Sequence, residues 1–316
     1  MEQGQGHGAA VGGWRDRESV SWRESLRVCA GRGSRKLAVY SLQPTHEEQV
    51  LEEQVADIIC WWSAGVTSAV ATKLAIAEFG DRCRPIYFAI DSAHSDNDRF
   101  KRQCEEWYGM EIEVARSNRF VDQFDVIKRE RYVNGPGGAK CTKELKKAVR
   151  FRIENNNDYS HQVFGFEYSK KEINRALRFK QQYPDAKPIF PLIEKRMTKP
   201  EALHFLESAD IERPAMYKLG YSNNNCIGCV KGGAGYWNKI RIDFPDAFAR
   251  MSELERDVGR SCIKGKFLDE LPPTAGRSVK EVLPDCGNFC EIEFADLEHP
   301  QLELMVENPE LMRSAT

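Results

Sequence analysis

Between Ala56 and Ala115 short apolar runs alternate with longer amphipathic stretches. Ala56–Trp62 (ADIICWW) is a short apolar run, consistent with a strand buried on both faces. Ser63–Thr67 follows as a small-residue turn, and Ser68–Phe79 has helical periodicity that Gly80 ends. Pro85–Ile90 (PIYFAI) is a second buried strand, Asp96–Tyr108 an amphipathic helix and Glu111–Ala115 a third strand. This β-α-β-α-β order predicts a parallel sheet covered by helices, with a site at the C-terminal ends of the strands. Further on, Phe120–Tyr132 and Lys140–Arg152 read as helices, Gln162–Phe166 as a fourth strand and Lys170–Gln182 as a basic helix. The apolar run Ile189–Ile193 precedes a helix over Thr198–Ser208, with Thr198 as its cap and Pro200 in its first turn. Residues 220–236 form a Gly/Asn/Cys loop, and Asp246–Val258 a final helix. Upstream, Leu37–Leu42 suits a short strand and His46–Gln54 a helix, behind a Gly-rich extension over residues 1–36. The expected class is α/β: about five parallel strands with helices on both faces. The expected division is an extension (1–45), a nucleotide-binding domain (46–215) and a cysteine-bearing C-terminal region with an acidic, solvated tail (216–316).

Composition narrows the function. The 316 residues carry 46 Lys+Arg against 48 Asp+Glu, which excludes a globally basic nucleic-acid binder but not a local basic groove. Mean hydropathy is −0.56, and no apolar run approaches the roughly 18 residues of a membrane helix. With no secretory apolar segment near Met1, the expected location is the cytoplasm, away from membranes. Ten cysteines are too sparse for a disulfide scaffold there, so metal or redox chemistry is the better reading.

Ser63-Ala64-Gly65-Val66-Thr67-Ser68-Ala69 lies between a strand and a helix. Small residues let backbone approach an anion, and the amides and dipole of a helix start favour negative charge. The segment resembles the pyrophosphate loop, S-G-G-x-D-S, of the PP-loop ATP pyrophosphatase superfamily, which includes the PAPS reductases. Ser63, Gly65 and Ser68 match; Ala64 replaces a Gly and Thr67 the Asp. The Ala change is mild if that position does not need positive φ. Other segments match in order: Asp91-Ser92-Ala93-His94 after the second strand, Tyr168–Ala176 with Glu172 and Arg175, Pro191–Phe205, and Met216–Cys229. The resemblance covers residues 50–245 and implies an adenine nucleotide alpha hydrolase-like (HUP-type) sheet binding ATP with Mg2+. It implies nucleotide contacts at Ser63, Ala64, Gly65, Val66, Thr67, Ser68, Asp91, Ser92, His94, Gly165, Phe166, Glu172 and Arg175, with Ser68 also a catalytic candidate. His94 is a candidate phosphate donor or acid/base.

Cys226-Ile-Gly-Cys229 is a C-x-x-C on a glycine-containing loop, a spacing that lets two thiolates reach one metal or cluster. Asn223–Asn225 before it suit a tight turn. Cys141 resembles part of the C-C-x-x-x-K segment of iron–sulfur sulfonucleotide reductases, with Lys140 in place of the first Cys. Cys286 and Cys290 form a further pair. Two arrangements compete. A [4Fe–4S] cluster on Cys141, Cys226 and Cys229 takes Cys290 or Cys286 as fourth ligand, or leaves that place open. A closed Zn2+ site uses Cys226, Cys229, Cys286 and Cys290. Cys60 reads as core; Cys29, Cys83, Cys104 and Cys262 have no assigned role.

Lys128–Arg152 and Lys170–Lys180 are rich in Lys and Arg, a pattern that suits a phosphate groove or a solvated helix face. Lys143, Lys146, Lys147 and Arg150, near Cys141, are the candidate phosphate or nucleic-acid contacts. The leading expectation is an enzyme that adenylates a substrate with ATP, releases pyrophosphate and transfers sulfur to a nucleobase or nucleotide with the help of the cluster. The alternatives are a sulfonucleotide (PAPS/APS) reductase, with Cys286 or Cys290 as the catalytic thiol, and a non-catalytic nucleotide-binding module with structural Zn2+. Expected partners are an adenine nucleotide, a nucleic-acid or nucleotide acceptor, an unidentified sulfur donor and a second copy of the chain.

Overall fold

The computed structural model describes residues 57–135, 138–276 and 302–314. The predicted strand Leu37–Leu42, the helix His46–Gln54, and Cys29, Cys286 and Cys290 lie outside these residues.

Five parallel strands form one sheet in the order β3-β2-β1-β4-β5. They are β1 (Asp57–Trp62), β2 (Cys83–Phe88), β3 (Glu113–Ala115), β4 (Tyr159–Val163) and β5 (Pro188–Ile189). β1 is central, pairing Ile58–Trp62 with Cys83–Tyr87 on one side and Asp57–Cys60 with Tyr159–Val163 on the other. Its apolar run follows from burial on both faces. Ile58, Cys60 and Trp62 join one core with α1 (Val66–Phe79) and α2 (Asn97–Tyr108), while Ile59 and Trp61 join a second. The strand order reverses between β1 and β4, which opens a crevice beyond their C-terminal ends.

The expected α/β class with a parallel sheet is what the chain forms, and element ends move by a few residues. α1 starts at Val66, two residues before the predicted start, because extended Gly65 already serves as its cap. β2 runs Cys83–Phe88 and β4 Tyr159–Val163, so Ile90, Gly165 and Phe166 lie past the strand ends, where a site forms. α3 is Gln123–Glu130. The next predicted helix has three consecutive parts: α4 (Lys140–Thr142), a π-helical turn over Lys143–Lys147 and α5 (Ala148–Asn156). α6 (Lys170–Gln182) has its predicted bounds; a short α7 (Pro191–Glu194) follows β5. α8 (Lys199–Glu207) carries the predicted Thr198 cap, reinforced by Glu201, whose carboxylate accepts from the Thr198 hydroxyl at 2.7 Å and its N–H at 2.8 Å.

α9 (Ala215–Lys218), α10 (Ala234–Asp243) and α11 (Pro245–Val258) build a third core with α3 and the cysteine loop, centred on fully buried Trp237. The acidic tail is not wholly solvated. α12 (Leu302–Glu307) and α13 (Leu311–Ser314) bury Met305 and Met312 against the α6 face, and the Tyr168 hydroxyl donates to the Val306 carbonyl at 2.7 Å. Two methionines on one face outweigh the charge that made the segment read as peripheral.

Candidate active site

The loop after β1 is tied by one hydroxyl. Ser68 Oγ donates to the Gly65 carbonyl at 2.9 Å and accepts from the Ser63 N–H at 3.1 Å and the Ser63 hydroxyl at 3.0 Å. Ser68 is buried and spends its proton inside the loop, so it braces the loop rather than serving as a nucleophile. Ala64 sits at φ 59°, the left-handed region that costs an alanine about 1–2 kcal/mol. The position therefore does require positive φ, and the Gly-to-Ala change is a strained one. Ala64 is held there by burial and by Asn224, whose Nδ2 donates to its carbonyl at 2.7 Å.

A cleft of about 120 Å3 opens over this loop. Ser63, Gly65, Thr67 and Ser68 form its floor; Gly165, Phe166, Glu172 and Arg175 form one wall, and Lys146, Lys199 and Tyr217 also border it. Ala64 and Val66 are buried beneath the loop and shape it without lining the cleft. β4 approaches the loop so closely that only glycine fits at 165: a Cβ there would stand 2.6 Å from the Ser68 N and Cα. Arg175 pairs with Glu172 at 3.1 Å and stacks over the Phe166 ring at 4.5 Å, with both charged groups buried. The Tyr217 hydroxyl accepts from the Val66 N–H at 3.4 Å, and Lys199 donates to the Ser222 carbonyl at 2.7 Å and to Asn223. Lys146, Arg175 and Lys199 face Glu167 and Glu172 in the lining, a net positive balance around a helix start.

The predicted residues divide. Asp91 and Ser92 do not line this cleft. They border a second cavity, of about 450 Å3, with Asp122, Asp243, Asp246 and Arg250. Asp91 pairs with Arg116 at 2.5 Å, and the Ser92 carbonyl accepts from the Ile227 N–H at 2.9 Å. His94 Nδ1 accepts from the Asp96 N–H at 3.1 Å, and its ring meets Phe244 edge-on. The turn after β2 faces the α10–α11 junction, which sequence spacing does not reveal. Of the four candidate phosphate contacts, only Lys146 lines the cleft. Lys143 is exposed, while Lys147 and Arg150 are buried over the Tyr183 ring, Arg150 at 4.7 Å. Burial holds the Arg150 pKa below its ordinary value, as befits a core side chain. Lys146 and Lys147 are consecutive, so on the helix they point about 100° apart and meet different surroundings.

Cys141, Cys226 and Cys229 line one small cavity with Gln123, Ile90, Leu145, Val230 and Lys146. The C-x-x-C loop is fixed from several sides. Gln123 Nε2 donates to the Ile227 carbonyl at 2.8 Å, and the Tyr236 hydroxyl accepts from the Cys229 N–H at 2.8 Å while donating to the Cys226 carbonyl at 3.2 Å. Gly228 takes φ +77° inside it. Burial, and then the neighbouring Cys229, pushes the Tyr236 phenol well above its ordinary pKa. None of the seven described cysteines is in a disulfide. Among the described residues no three His, Cys, Asp or Glu side chains are set to chelate a single ion. A cluster asks for something different, since its thiolates bind separate irons and stand farther apart than ligands of one ion. Three thiols bordering one largely apolar cavity are the donor set such a cluster takes, and the cavity itself, at about 20 Å3, is smaller than a cluster. The closed Zn2+ alternative depends on Cys286 and Cys290, outside the described residues.

A third small cavity joins the other two. It is lined by Trp61, Trp62, Ser63, Tyr87, Phe88, Ile90, Ala93, Asn97, Lys146, Asn224, Asn225 and Cys226. It shares Trp61, Ser63, Lys146, Asn224 and Asn225 with the cleft over the loop, and Ile90, Lys146 and Cys226 with the cysteine cavity. Sequence reasoning missed Lys199, Tyr217 and the lining role of Asn223–Asn225. The three consecutive asparagines beside the C-x-x-C were the available signal.

No family model matches this chain, and no curated protein matches it. Among solved structures it is similar to the U34-tRNA thiolase NcsA from Methanococcus maripaludis with its [4Fe-4S] cluster. The identity is 13%, over 65% of this chain and 72% of that one, with a TM-score of 0.31. The α/β class rests on the sheet itself.

Proposed function

We propose that the chain is an ATP-dependent enzyme of PP-loop type that adenylates a substrate oxygen and exchanges it for sulfur on a nucleobase or nucleotide. The observation that carries this reading is that Lys146 borders the phosphate cleft, the joining cavity and the cysteine cavity. An activated intermediate formed over the loop needs no long passage to reach the thiols.

In this reading the substrate oxygen attacks the α-phosphorus of ATP, the bond to the bridging oxygen breaks, and pyrophosphate leaves. A sulfur nucleophile then displaces AMP. The α1 N-terminus and the Thr67 hydroxyl meet the charge that grows on pyrophosphate, with Lys146 and Lys199 beside them. Buried Arg175, fixed by Glu172 and the Phe166 ring, gives the opposite wall a positive group whose position does not depend on ligand. Phe164, Phe166 and Trp61 add aromatic surface beside that pair. Cys141, Cys226 and Cys229 would hold a [4Fe–4S] cluster, whose chemistry when bound is to carry sulfur. Gln123 and Tyr236 keep the two loop cysteines in place through their backbone groups.

The test is anaerobic purification followed by iron and sulfide analysis, visible absorption, and assay of ATP turnover with nucleoside and RNA acceptors. AMP and pyrophosphate formed in step with sulfur incorporation support the proposal. Sulfite release from PAPS or APS indicates a reductase instead. Stoichiometric zinc in a colourless protein, or tight nucleotide binding without turnover, overturns it. Ser68→Ala unties the loop and should weaken ATP binding about tenfold; unchanged affinity removes the loop from the site.

A further inference from the structure

The joining cavity carries two amides whose hydrogen-bonding capacity the fold leaves unused. Asn224 Nδ2 donates to the Ala64 carbonyl and to Asn97 Oδ1, each at 2.7 Å, and two acceptors fix which end of the amide is which. Its Oδ1 is buried without a hydrogen-bond partner, as is Asn225 Nδ2. Both side chains line the phosphate cleft and the joining cavity. Leaving such an atom unpaired costs about 1–3 kcal/mol, so an acceptor and a donor buried on two consecutive residues that line one cavity suit a ligand toward which both amides turn. The surroundings restrict that ligand further. Trp61 is locked by its Nε1 donating to Gln162 at 2.6 Å and by stacking on Phe88 at 5.0 Å, and Tyr87 and Phe88 share the lining. Aromatic walls with one donor–acceptor edge suit a flat heterocycle.

We propose that Asn224 and Asn225 read the edge of a nucleobase that presents a hydrogen-bond acceptor beside an N–H donor. Asn225 Nδ2 donates to the ring acceptor, and Asn224 Oδ1 accepts from the N–H. The proposal rests on the nucleotide reading of the phosphate cleft. Two sources carry this chemistry: the adenine of ATP, and the base of the acceptor held between the phosphate loop and the thiols.

The experiment uses the full chain and Asn225→Ala, which removes a group with no partner to lose and should leave the melting temperature unchanged. Asn225→Asp, which replaces the donor with an acceptor, is the second variant. Calorimetry compares ATP with purine riboside triphosphate, which lacks the exocyclic amine. It also measures the four ribonucleoside monophosphates on protein loaded with α,β-methylene-ATP. If the adenine is read, the wild type prefers ATP by about tenfold through Asn224, and both variants bind the two triphosphates about tenfold more weakly while keeping that preference. If the acceptor base is read, triphosphate binding is the same in all three proteins. At least one monophosphate then binds about tenfold more weakly to Asn225→Ala, and more weakly still to Asn225→Asp. Neither arm moving, in variants that melt like the wild type, overturns the proposal. Base binding that depends on Asn225 in a protein that never turns ATP over would leave this assignment standing and refute the proposed reaction instead.

Discussion

Gly165→Ala tests the geometry on which the phosphate site depends. A Cβ at 165 would lie 2.6 Å from the Ser68 N and Cα and 2.9 Å from the Thr67 carbonyl carbon. All three are backbone atoms, so no rotamer change relieves the overlap. Reaching an ordinary 3.4 Å contact asks the first turn of α1 and the end of β4 to separate by about 0.8 Å, the difference between 3.4 and 2.6. Overpacking of this kind costs about 1–3 kcal/mol, which at 2–4 °C per kcal/mol for a chain of this size lowers Tm by about 2–12 °C. The displaced turn carries the amides that would face phosphate. Losing the alignment of one charge-assisted hydrogen bond, about 1.5–3 kcal/mol, weakens ATP binding between about tenfold and a hundredfold. Thermal denaturation followed by circular dichroism and calorimetric titration with ATP measure the two effects. Gly233→Ala is the control, because a Cβ there meets nothing within 4 Å and φ is −78°. A Gly165→Ala protein matching the wild type in both Tm and affinity would refute the close approach of β4 to the loop.

Gly232→Ala places a Cβ 1.8 Å from the Tyr236 ring, whose hydroxyl holds the Cys226 and Cys229 backbone. The expected result is a loss of about 1–3 kcal/mol and faster alkylation of those two thiols, read by urea denaturation and mass spectrometry. Asp96 accepts two bonds from Arg99, each at 2.7 Å, and one from the Ala215 N–H at 2.8 Å, and the guanidinium beside it holds its carboxyl below the usual range. A depressed carboxyl stabilises the fold above its unfolded pKa of about 3.9, and that stability is lost as pH falls through the lower folded value. Asp96→Asn should therefore cost about 1–2 kcal/mol at pH 7 and less near pH 3, as urea denaturation at the two pH values would show. Burial pushes the Cys104 thiol up to about 12. At pH 8 about one part in 10,000 is thiolate, so iodoacetamide should leave Cys104 untouched in the folded protein and modify it after unfolding.

The apolar runs and helical periods of residues 56–115 were enough to foresee a parallel sheet, because a strand buried on both faces leaves a pattern no loop imitates. The small residues at 63–69 marked a tight strand-to-helix loop for a similarly local reason: close backbone approach excludes large side chains. Local pattern could not say that position 64 takes positive φ, since Ala64 is held there by a distant asparagine and by burial. Nor could it separate Lys146 from Lys147 and Arg150. That choice follows from the Tyr183 ring against which the latter two pack. Asp91 and Ser92 sit at the predicted strand end, yet they face a different cavity because α10 and α11 close over that turn. The meeting of Cys141 with Cys226 and Cys229, the closeness of Gly165 to Ser68, and the two asparagines between cleft and cysteines all join segments far apart in the chain. Periodicity records what each element buries. Which elements share a cavity depends on strand order and helix phase, and those are set only when the whole sheet packs.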